Sequence, residues 1–437
     1  MTEQWLREVL DGSPLADQLP TTAAPFLEHR SSDAALGKLD PGRLAGLARV
    51  VSSSADAARF LSRRPQLLET LAATDRDALA RRGAALLARE VPSSGDLERS
   101  LDDLRLLRRD ETMLAACLDL GGVVSFREIS SFLSMVAEAI TRRALHWARH
   151  PGDPSIALIG MGKIAGRELT YHSDLDLIFL VADPSIESVS RAARCAQRLI
   201  AYLTTLTGAG IAYAVDSRLR PSGRKGALVS TFEAWSRYQT CEARTWEHLA
   251  LMRARPISGD IDSARVGLAS VRAEVLRGHE APWDEVARMR QRVQAERTSG
   301  PERVDFKTGP GGIMDVDFLA AGGLLQRGRH PGELPSVPAM LHCAAGEEPA
   351  TLLADYDLLR RVEARARWIA DRSVDSFAAD GRQALLIADL LFPGRGRAAL
   401  LEAIAGARQR TRRAWTQVTD AHDIGALRHL EAGSGSG

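Results

Sequence analysis

A stretch near the middle of the chain constrains its fold most. The apolar run Ile156 to Ile159 ends at Gly160, and a second apolar run spans Leu175 to Val181. Short apolar runs bounded by glycine are typical of buried strands. A helical stripe of apolar residues at 187–207 separates them from a third apolar run, Ile211 to Val215. The order strand, strand, helix, strand predicts a mixed sheet packed against helices.

Helical patterns flank this segment on both sides. Leucines from Leu97 to Leu118 recur at spacings of three and four, and apolar residues from Phe132 to Leu145 repeat in the same way. The prolines at 150–154 stop helix formation, and helical patterns return after about 265. We therefore expect an α+β protein with four regions: a helical region at 1–150, an α/β core at 151–264, a helical domain at 265–430 and a flexible tail at 431–437.

Bulk composition excludes several classes of protein. Lys and Arg total 57 and Asp and Glu total 56, a net charge of +1, so bulk attraction to nucleic acid or to a membrane is not expected. The four cysteines are far apart, which argues against a disulfide framework or a zinc site. The first residues do not resemble a signal peptide, and no apolar run is long enough to cross a bilayer. These features predict a cytoplasmic protein.

Two carboxylates lie at the start of the second predicted strand. Because side chains alternate across a strand, Asp174 and Asp176 point to one face while Leu175 and Leu177 point to the core. Adjacent carboxylates repel each other, and a divalent cation such as Mg²⁺ relieves that repulsion while also binding phosphate oxygens. The alternative interpretation of the pair is an ordinary turn at the end of a strand.

A third carboxylate favours the metal site. Asp216 follows the predicted strand that ends at Val215, and a neighbouring strand would place it against Asp174 and Asp176. There it would bind the metal or accept the proton of an attacking hydroxyl. We predict all three aspartates as metal ligands and catalytic residues.

The glycines before the acid pair suggest a phosphate-binding segment. Gly160 and Gly162 would let backbone N–H groups approach phosphate oxygens. A dinucleotide-binding fold is excluded because too few residues remain for a crossover before the acids, and the P-loop pattern is absent. Lys163 is a candidate phosphate ligand or a solvated surface lysine. Ser173 is a candidate phosphate ligand or a turn cap.

Basic residues further along the chain complete the predicted nucleotide site. Arg218 and Arg220 lie on one side of an extended segment, where guanidinium groups suit phosphate geometry or hold an ion-pair network together. Lys307 precedes a glycine-rich turn and would reach phosphate across a cleft. Glu247 is expected to be a structural partner of one of the two arginines.

Four motifs together resemble glutamine synthetase adenylyltransferase, in the order found in that family. They are Gly160-Met161-Gly162-Lys163 with Ser173-Asp174-Leu175-Asp176-Leu177, Val215-Asp216-Ser217-Arg218-Leu219-Arg220-Pro221-Ser222-Gly223, Trp246-Glu247 with Arg253-Ala254-Arg255, and Gly311-Gly312-Ile313-Met314-Asp315-Val316-Asp317-Phe318. By motif placement the resemblance covers roughly residues 45 to 425. The chain departs from the family at Asp317, where Glu is common, and at Thr170-Tyr171-His172.

The resemblance implies a DNA polymerase beta-like nucleotidyltransferase core that transfers AMP from ATP to a protein tyrosine. Mg²⁺ or Mn²⁺ is the implied cofactor, glutamine synthetase the implied substrate, and a PII-type signalling protein a further partner. Family enzymes usually join an attaching unit to a removing unit, and the segment 242–248 is closer to the attaching unit. Two alternatives remain: phosphorolytic removal of AMP, giving ADP, and a catalytically silent nucleotide- or PII-binding module.

Overall fold

The structure, a computed structural model, describes residues 3–28, 33–91, 95–278, 283–297, 300, 302–346 and 349–428. The expected tail at 431–437 lies outside these ranges. Helices predominate, and they surround one central mixed sheet. The protein is therefore of the α+β class, as predicted.

Helices account for the regular structure of the N-terminal part of the described chain. Their bounds are α1 Glu3–Val9, α2 Leu19–Thr22, α3 Ala24–Leu27, α4 Asp33–Leu36, α5 Pro41–Ser53, α6 Ala55–Ser62, α7 Gln66–Ala73, α8 Arg76–Ala88, α9 Leu97–Leu120 and α10 Phe126–Ala148. The two predicted helices are confirmed as α9 and α10. Asp96 caps the first through Arg99 N, and Ser125 and Glu128 form a capping box at the start of the second.

Strands and short helices alternate in the central part. Their bounds are β1 Ile156–Met161, α11 Gly162–Ala165, β2 Leu175–Val181, α12 Ile186–Thr204, β3 Val215–Asp216, β4 Val229–Thr231, α13 Phe232–Cys241, α14 Thr245–Met252 and β5 Ala254–Gly259. The first two predicted strands and the helix between 187 and 207 are confirmed as β1, β2 and α12.

The C-terminal part is again helical. Its elements are α15 Ile261–Gly278, α16 Trp283–Arg297, β6 Arg303–Asp305, α17 Ile313–Arg327, α18 Val337–Ala345, α19 Ala350–Ala370, β7 Ser376–Ala378, α20 Arg382–Leu391 and α21 Gly396–Ala421. β6 and β7 pair antiparallel as a separate two-stranded sheet.

The central sheet has the order β3-β2-β1-β5. β1 pairs antiparallel with both β2 and β5, whereas β3 and β4 pair in parallel with successive parts of β2. The register places Gly160 opposite Leu177 and Asp176 opposite Asp216. This mixed pairing brings the start of β2 and the end of β3 to the same edge.

The two faces of the sheet pack against different hydrophobic cores. Leu158, Leu177 and Phe179 lie in a core shared with the N-terminal helices and α12. Ile159 and Ile178 lie in a second core shared with the C-terminal helices. Since alternate side chains of a strand point to opposite faces, both helical regions bury one face of the same sheet.

The prediction of a strand over Ile211 to Val215 was mostly wrong. Only Val215 and Asp216 pair as a strand. Tyr213 N donates instead to Leu203 O at the end of α12, which keeps the preceding residues out of the sheet ladder. The apolar character of this run reflects burial of Ala212 and Tyr213 rather than strand pairing.

Among the described residues, none of the helices combines the length and apolar character that crossing a lipid bilayer requires.

Candidate active site

Three carboxylates meet at the edge of the sheet where β2 and β3 run in parallel. One oxygen from each of Asp174, Asp176 and Asp216 lies within 4.8 Å of the others. Leu175 and Leu177 are fully buried beneath them, so the predicted alternation is confirmed. Among the described residues, no Lys or Arg nitrogen lies within 4.0 Å of the Asp174 or Asp176 carboxylates. We name these three residues the acid cluster.

The acid cluster raises the pKa of Asp176 to about 7, through burial first and then through repulsion from Asp174 and Asp216. Lys163 and Lys307 act in the opposite direction. A carboxylate whose ionised form is unfavourable beside two other carboxylates gains stability when a cation binds. Three convergent carboxylate oxygens are the ligand set that Mg²⁺ or Mn²⁺ prefers, so the residues present fit a divalent metal.

The two glycines of the predicted phosphate segment occupy different environments. Gly162 has a φ of 58°, donates its N–H to Arg253 O at 2.8 Å, and would place a Cβ 3.5 Å from Asp176 Oδ2. Gly160 lies inside β1, where a Cβ would come within 2.9 Å of Ile257 and 3.0 Å of Ile164. Gly162 therefore lies beside the acid cluster, whereas Gly160 allows close packing behind it.

Lys163 projects from the start of α11 towards a buried carboxylate. Its Nζ donates to Glu363 Oε1 at 2.7 Å, and Glu363 also pairs with Arg360 at 3.2 Å and Arg367 at 3.0 Å. The pKa of Lys163 is lowered to about 7, chiefly by burial; Glu363 opposes this change, and Arg367 and Arg360 add to it. One carboxylate is thus shared by three cations. The surface-lysine alternative is wrong, because the Lys163 side chain is only 19% exposed.

Ser173 lies next to the acid cluster but serves the loop that precedes β2. It is buried, and its Oγ accepts from Thr170 N at 3.0 Å and from Arg367 Nη1 at 3.5 Å. In the structure Ser173 therefore stabilises the turn before β2.

The two predicted arginines follow β3 and differ in their contacts. Arg218 is exposed, and its guanidinium pairs with Asp216, with Nε donating at 2.6 Å. Arg220 donates from Nη1 to Ser217 O at 2.6 Å and from Nε to Gly226 O at 3.3 Å, which shapes its own loop. Arg218 therefore contacts the acid cluster directly.

Lys307 follows β6 and is half-buried. Its Nζ donates to both carboxylate oxygens of Asp375, at 3.1 and 3.2 Å. It is close enough to the acid cluster to lower the pKa of Asp176. The glycine turn after it packs against α21, since a Cβ on Gly311 would lie 1.9 Å from Arg408 O.

The acid cluster borders an open cleft of about 490 Å³. Seven residues line it: Asp174, Ala214, Val215, Asp216, Ser217, Arg218 and Arg220. Acids and guanidinium groups therefore face the same space, which suits a substrate that carries phosphates and a metal ion.

The sequence did not predict a buried ion network that forms around Arg253. Arg253 pairs with Asp317 at 2.8 Å and also with Glu168, while Arg360 donates to Glu168 O. Burial raises the pKa of Glu168, and Arg253 is the strongest influence opposing that rise. These residues are distant in sequence and share no motif, so a sequence pattern could not pair them.

One further expectation is corrected. Glu247 does not partner Arg218 or Arg220; it accepts from Tyr238 Oη at 2.6 Å and from Arg244 N at 3.0 Å, which fixes the start of α14. Asp315, at the start of α17, is fully buried, pairs with Arg290 and accepts from Gly311 N at 2.6 Å.

Comparison with known proteins gives two family matches. Residues 44–268, slightly more than half of the chain, match the model of glutamate-ammonia ligase adenylyltransferase. Residues 284–420 match the model of GlnD PII-uridylyltransferase. The first match contains the whole acid cluster and the second contains the helices after it.

Individual relatives agree with the first family match. A bifunctional glutamine synthetase adenylyltransferase/adenylyl-removing enzyme of Thioalkalivibrio sulfidiphilus is 36% identical over 316 residues, covering 64% of this chain and 32% of the relative. The enzyme of the same name from Aromatoleum aromaticum is 33% identical over 400 residues, covering 82% of this chain and 41% of the relative. The chain thus spans about a third to two fifths of these relatives. By these matches and by its acid cluster, the chain belongs to the glutamate-ammonia ligase adenylyltransferase family.

Proposed function

We propose that this chain is a metal-dependent adenylyltransferase that moves AMP from ATP onto a tyrosine hydroxyl of glutamine synthetase. The observation that carries the proposal is the acid cluster, in which Asp176 and Asp216 are register partners on adjacent parallel strands beside an open cleft. The central sheet, in this proposal, is a DNA polymerase beta-like nucleotidyltransferase core.

The acids supply the metal site. Asp174, Asp176 and Asp216 would hold Mg²⁺ or Mn²⁺, and the bound cation would neutralise charge on the phosphates of ATP. The raised pKa of Asp176 supports this role, because an empty cluster of three carboxylates is unfavourable when ionised.

The basic groups supply the phosphate-binding charge. Lys163 shares its single carboxylate partner with Arg360 and Arg367, so this side of the site carries more positive than negative charge. Arg218 is exposed at the mouth of the cleft and would exchange its contact with Asp216 for a phosphate oxygen. Lys307 would approach the phosphates from the C-terminal helical part.

The proposed proton acceptor is also a member of the acid cluster. The tyrosine hydroxyl attacks the α-phosphorus of ATP, the bond to pyrophosphate breaks, and the hydroxyl proton passes to a carboxylate of the acid cluster. Asp216 borders the cleft on the β3 side and is the base we propose.

The acceptor and the direction rest on the family rather than on the geometry. The names of the relatives include both transfer and removal of the adenylyl group. We propose the attaching direction from the similarity of residues 242–248 to the attaching unit. A PII-type protein is the proposed regulatory partner, supported by the match of residues 284–420 to a PII-uridylyltransferase model.

The test is incubation of the chain with ATP labelled at the α-phosphate, Mg²⁺ and unmodified glutamine synthetase. We expect one labelled tyrosine per modified subunit by peptide mass spectrometry, together with release of pyrophosphate. Loss of AMP from pre-modified glutamine synthetase, with phosphate consumed and ADP formed, would instead establish the removing direction. No turnover in either assay would contradict the enzymatic function.

A further inference from the structure

A cavity of about 590 Å³ lies between β5 and α15, away from the acid cluster. Its walls come from the start of β5, one side of α15 and the loop around His330. None of its lining residues lines the cleft beside the acid cluster. The volume falls within the range of small-molecule binding sites, and it is not explained by the proposed transfer reaction.

Arg272 is the unusual feature of this cavity. Only 8% of the residue is exposed, yet no carboxylate among the described residues pairs with it. Burial alone lowers its pKa to about 9, so the guanidinium is still a cation at neutral pH. Buried cations are normally paired, because an isolated charge in a low-dielectric interior is strongly destabilising.

Hydrogen bonds from two of its three nitrogens hold the Arg272 guanidinium in place. Its Nε donates to Leu251 O at 3.3 Å and its Nη2 donates to Ala254 O. Within the described part of the chain its Nη1 has no hydrogen-bond partner. A ligand can therefore bind Nη1 without releasing the two contacts that fix the side chain.

Most other polar side chains of the cavity already have partners. Arg255 pairs with Glu138, and Arg265 lies 3.6 Å from Glu333. His330 Nε2 lies 2.9 Å from Met252 O, and its Nδ1 accepts from Gly332 N at 3.1 Å. Arg272 is thus the group that lacks a counter-charge, with Arg277 adding positive charge at the rim.

The remaining walls are apolar. Leu268, Ala269, Ala273 and Leu276 line one side along α15. A ligand that satisfies both parts of the cavity has one anionic group for Arg272 and an apolar body for this wall. A phosphate dianion suits the site less well, because phosphate sites offer several convergent donors and Arg272 has one nitrogen left for a ligand.

We propose that this cavity binds a small organic monocarboxylate, with the carboxylate on Arg272 and the aliphatic part against α15. The bound carboxylate supplies the missing counter-charge, and the apolar body fills space that is otherwise open to water. The site is separate from the acid cluster and does not depend on the transfer reaction.

The test is calorimetric titration of the chain with hexanoate, with hexanamide as a neutral probe of the same shape and with inorganic phosphate. We expect hexanoate to bind, and hexanamide and phosphate to bind at least tenfold more weakly. Binding of hexanamide with equal affinity would overturn the role of the charge. Equal binding of phosphate, or no binding of hexanoate, would overturn the monocarboxylate site.

Amino-acid substitutions test whether hexanoate binds in this cavity. Ala269→Phe places a large side chain on the apolar wall of the cavity and keeps the charge, whereas Arg272→Gln removes the charge; each should weaken hexanoate binding at least tenfold. Val266→Phe is the matched control, since Val266 is on the same helix, 72% exposed and outside the cavity. Unchanged affinity in Ala269→Phe would place the ligand elsewhere and overturn the proposal, even if Arg272→Gln does not fold.

Discussion

Two groups of carboxylates lie close together in this molecule and have opposite electrostatic surroundings. One group is paired with cations, and the other faces further carboxylates. The first group is the buried ion network, in which Glu168 and Asp317 share Arg253. Arg360 extends this network to Glu363, which contacts three cations. In the acid cluster, Asp174 and Asp176 have each other and Asp216 as near neighbours. Burial acts on both groups, but attraction lowers the pKa of Glu363 while repulsion raises that of Asp176.

The difference separates a structural role from a functional one. A buried carboxylate that is matched by guanidinium groups stabilises the native state as long as every partner is present. Carboxylates placed against one another destabilise the empty site and are compensated only by something that binds. The buried network therefore supports the fold, whereas the role we propose for the acid cluster is to bind a cation.

The largest expected effect is on catalysis. Asp176→Asn should lower the rate of AMP transfer by at least about 10³-fold, equivalent to about 4 kcal/mol, because a metal ligand is lost. The variant should remain folded, since it removes repulsion. Transfer assays with Asp420→Asn, an exposed carboxylate on α21, provide the control. Full activity of Asp176→Asn would contradict the assigned site.

The next largest effect is on the stability of the fold, and it concerns the carboxylate Glu363 that is paired with cations. Glu363→Gln leaves Lys163, Arg360 and Arg367 without their shared carboxylate. We expect the free energy of unfolding to fall by about 3 kcal/mol. Urea denaturation followed by circular dichroism measures it, with Asp176→Asn as the comparison. Equal stability of the two variants would contradict the different roles of the buried ion network and the acid cluster.

A smaller effect is expected at Lys307. If Lys307 approaches the phosphates, Lys307→Ala should weaken ATP binding by about 1–3 kcal/mol. Because Lys307 pairs with Asp375, Asp375→Asn is the matched control: it disturbs the same pair but keeps the lysine. Unchanged ATP affinity in Lys307→Ala, measured by calorimetry, would give this residue a structural role.

The smallest effect concerns pH in the absence of metal. The folded state raises the pKa of Asp176 from 3.8 to about 7, so the folded protein holds the proton more tightly than the unfolded chain. Protonation of Asp176 therefore stabilises the folded protein fully below pH 4, and this stabilisation is lost as the pH rises through 7. Relative to Asp176→Asn, the wild type should lose on the order of 1 kcal/mol over this range, a value reduced by solvent screening at a half-buried group.

Urea denaturation of both proteins at several pH values in EDTA measures this change. Adding Mg²⁺ above pH 7 should restore the stability of the wild type and leave Asp176→Asn unchanged. A difference between the two proteins that does not vary with pH would contradict the repulsion within the acid cluster.

The sequence by itself determined the local elements and the chemistry at their ends. Apolar periodicity specified α9, α10, β1, β2 and α12, because each pattern depends on residues that are near neighbours in the chain. Alternation along β2 placed Asp174 and Asp176 on one face without knowledge of any other strand.

Only the tertiary structure decided which distant residues meet. It put Asp216 in register with Asp176, paired Lys163 with Glu363 and removed Ser173 and Gly160 from the surface of the site. It also reduced the expected strand at 211–215 to two residues, since Tyr213 bonds to the end of α12. Contacts across 200 residues depend on how helices pack on the sheet, and no local pattern encodes that packing.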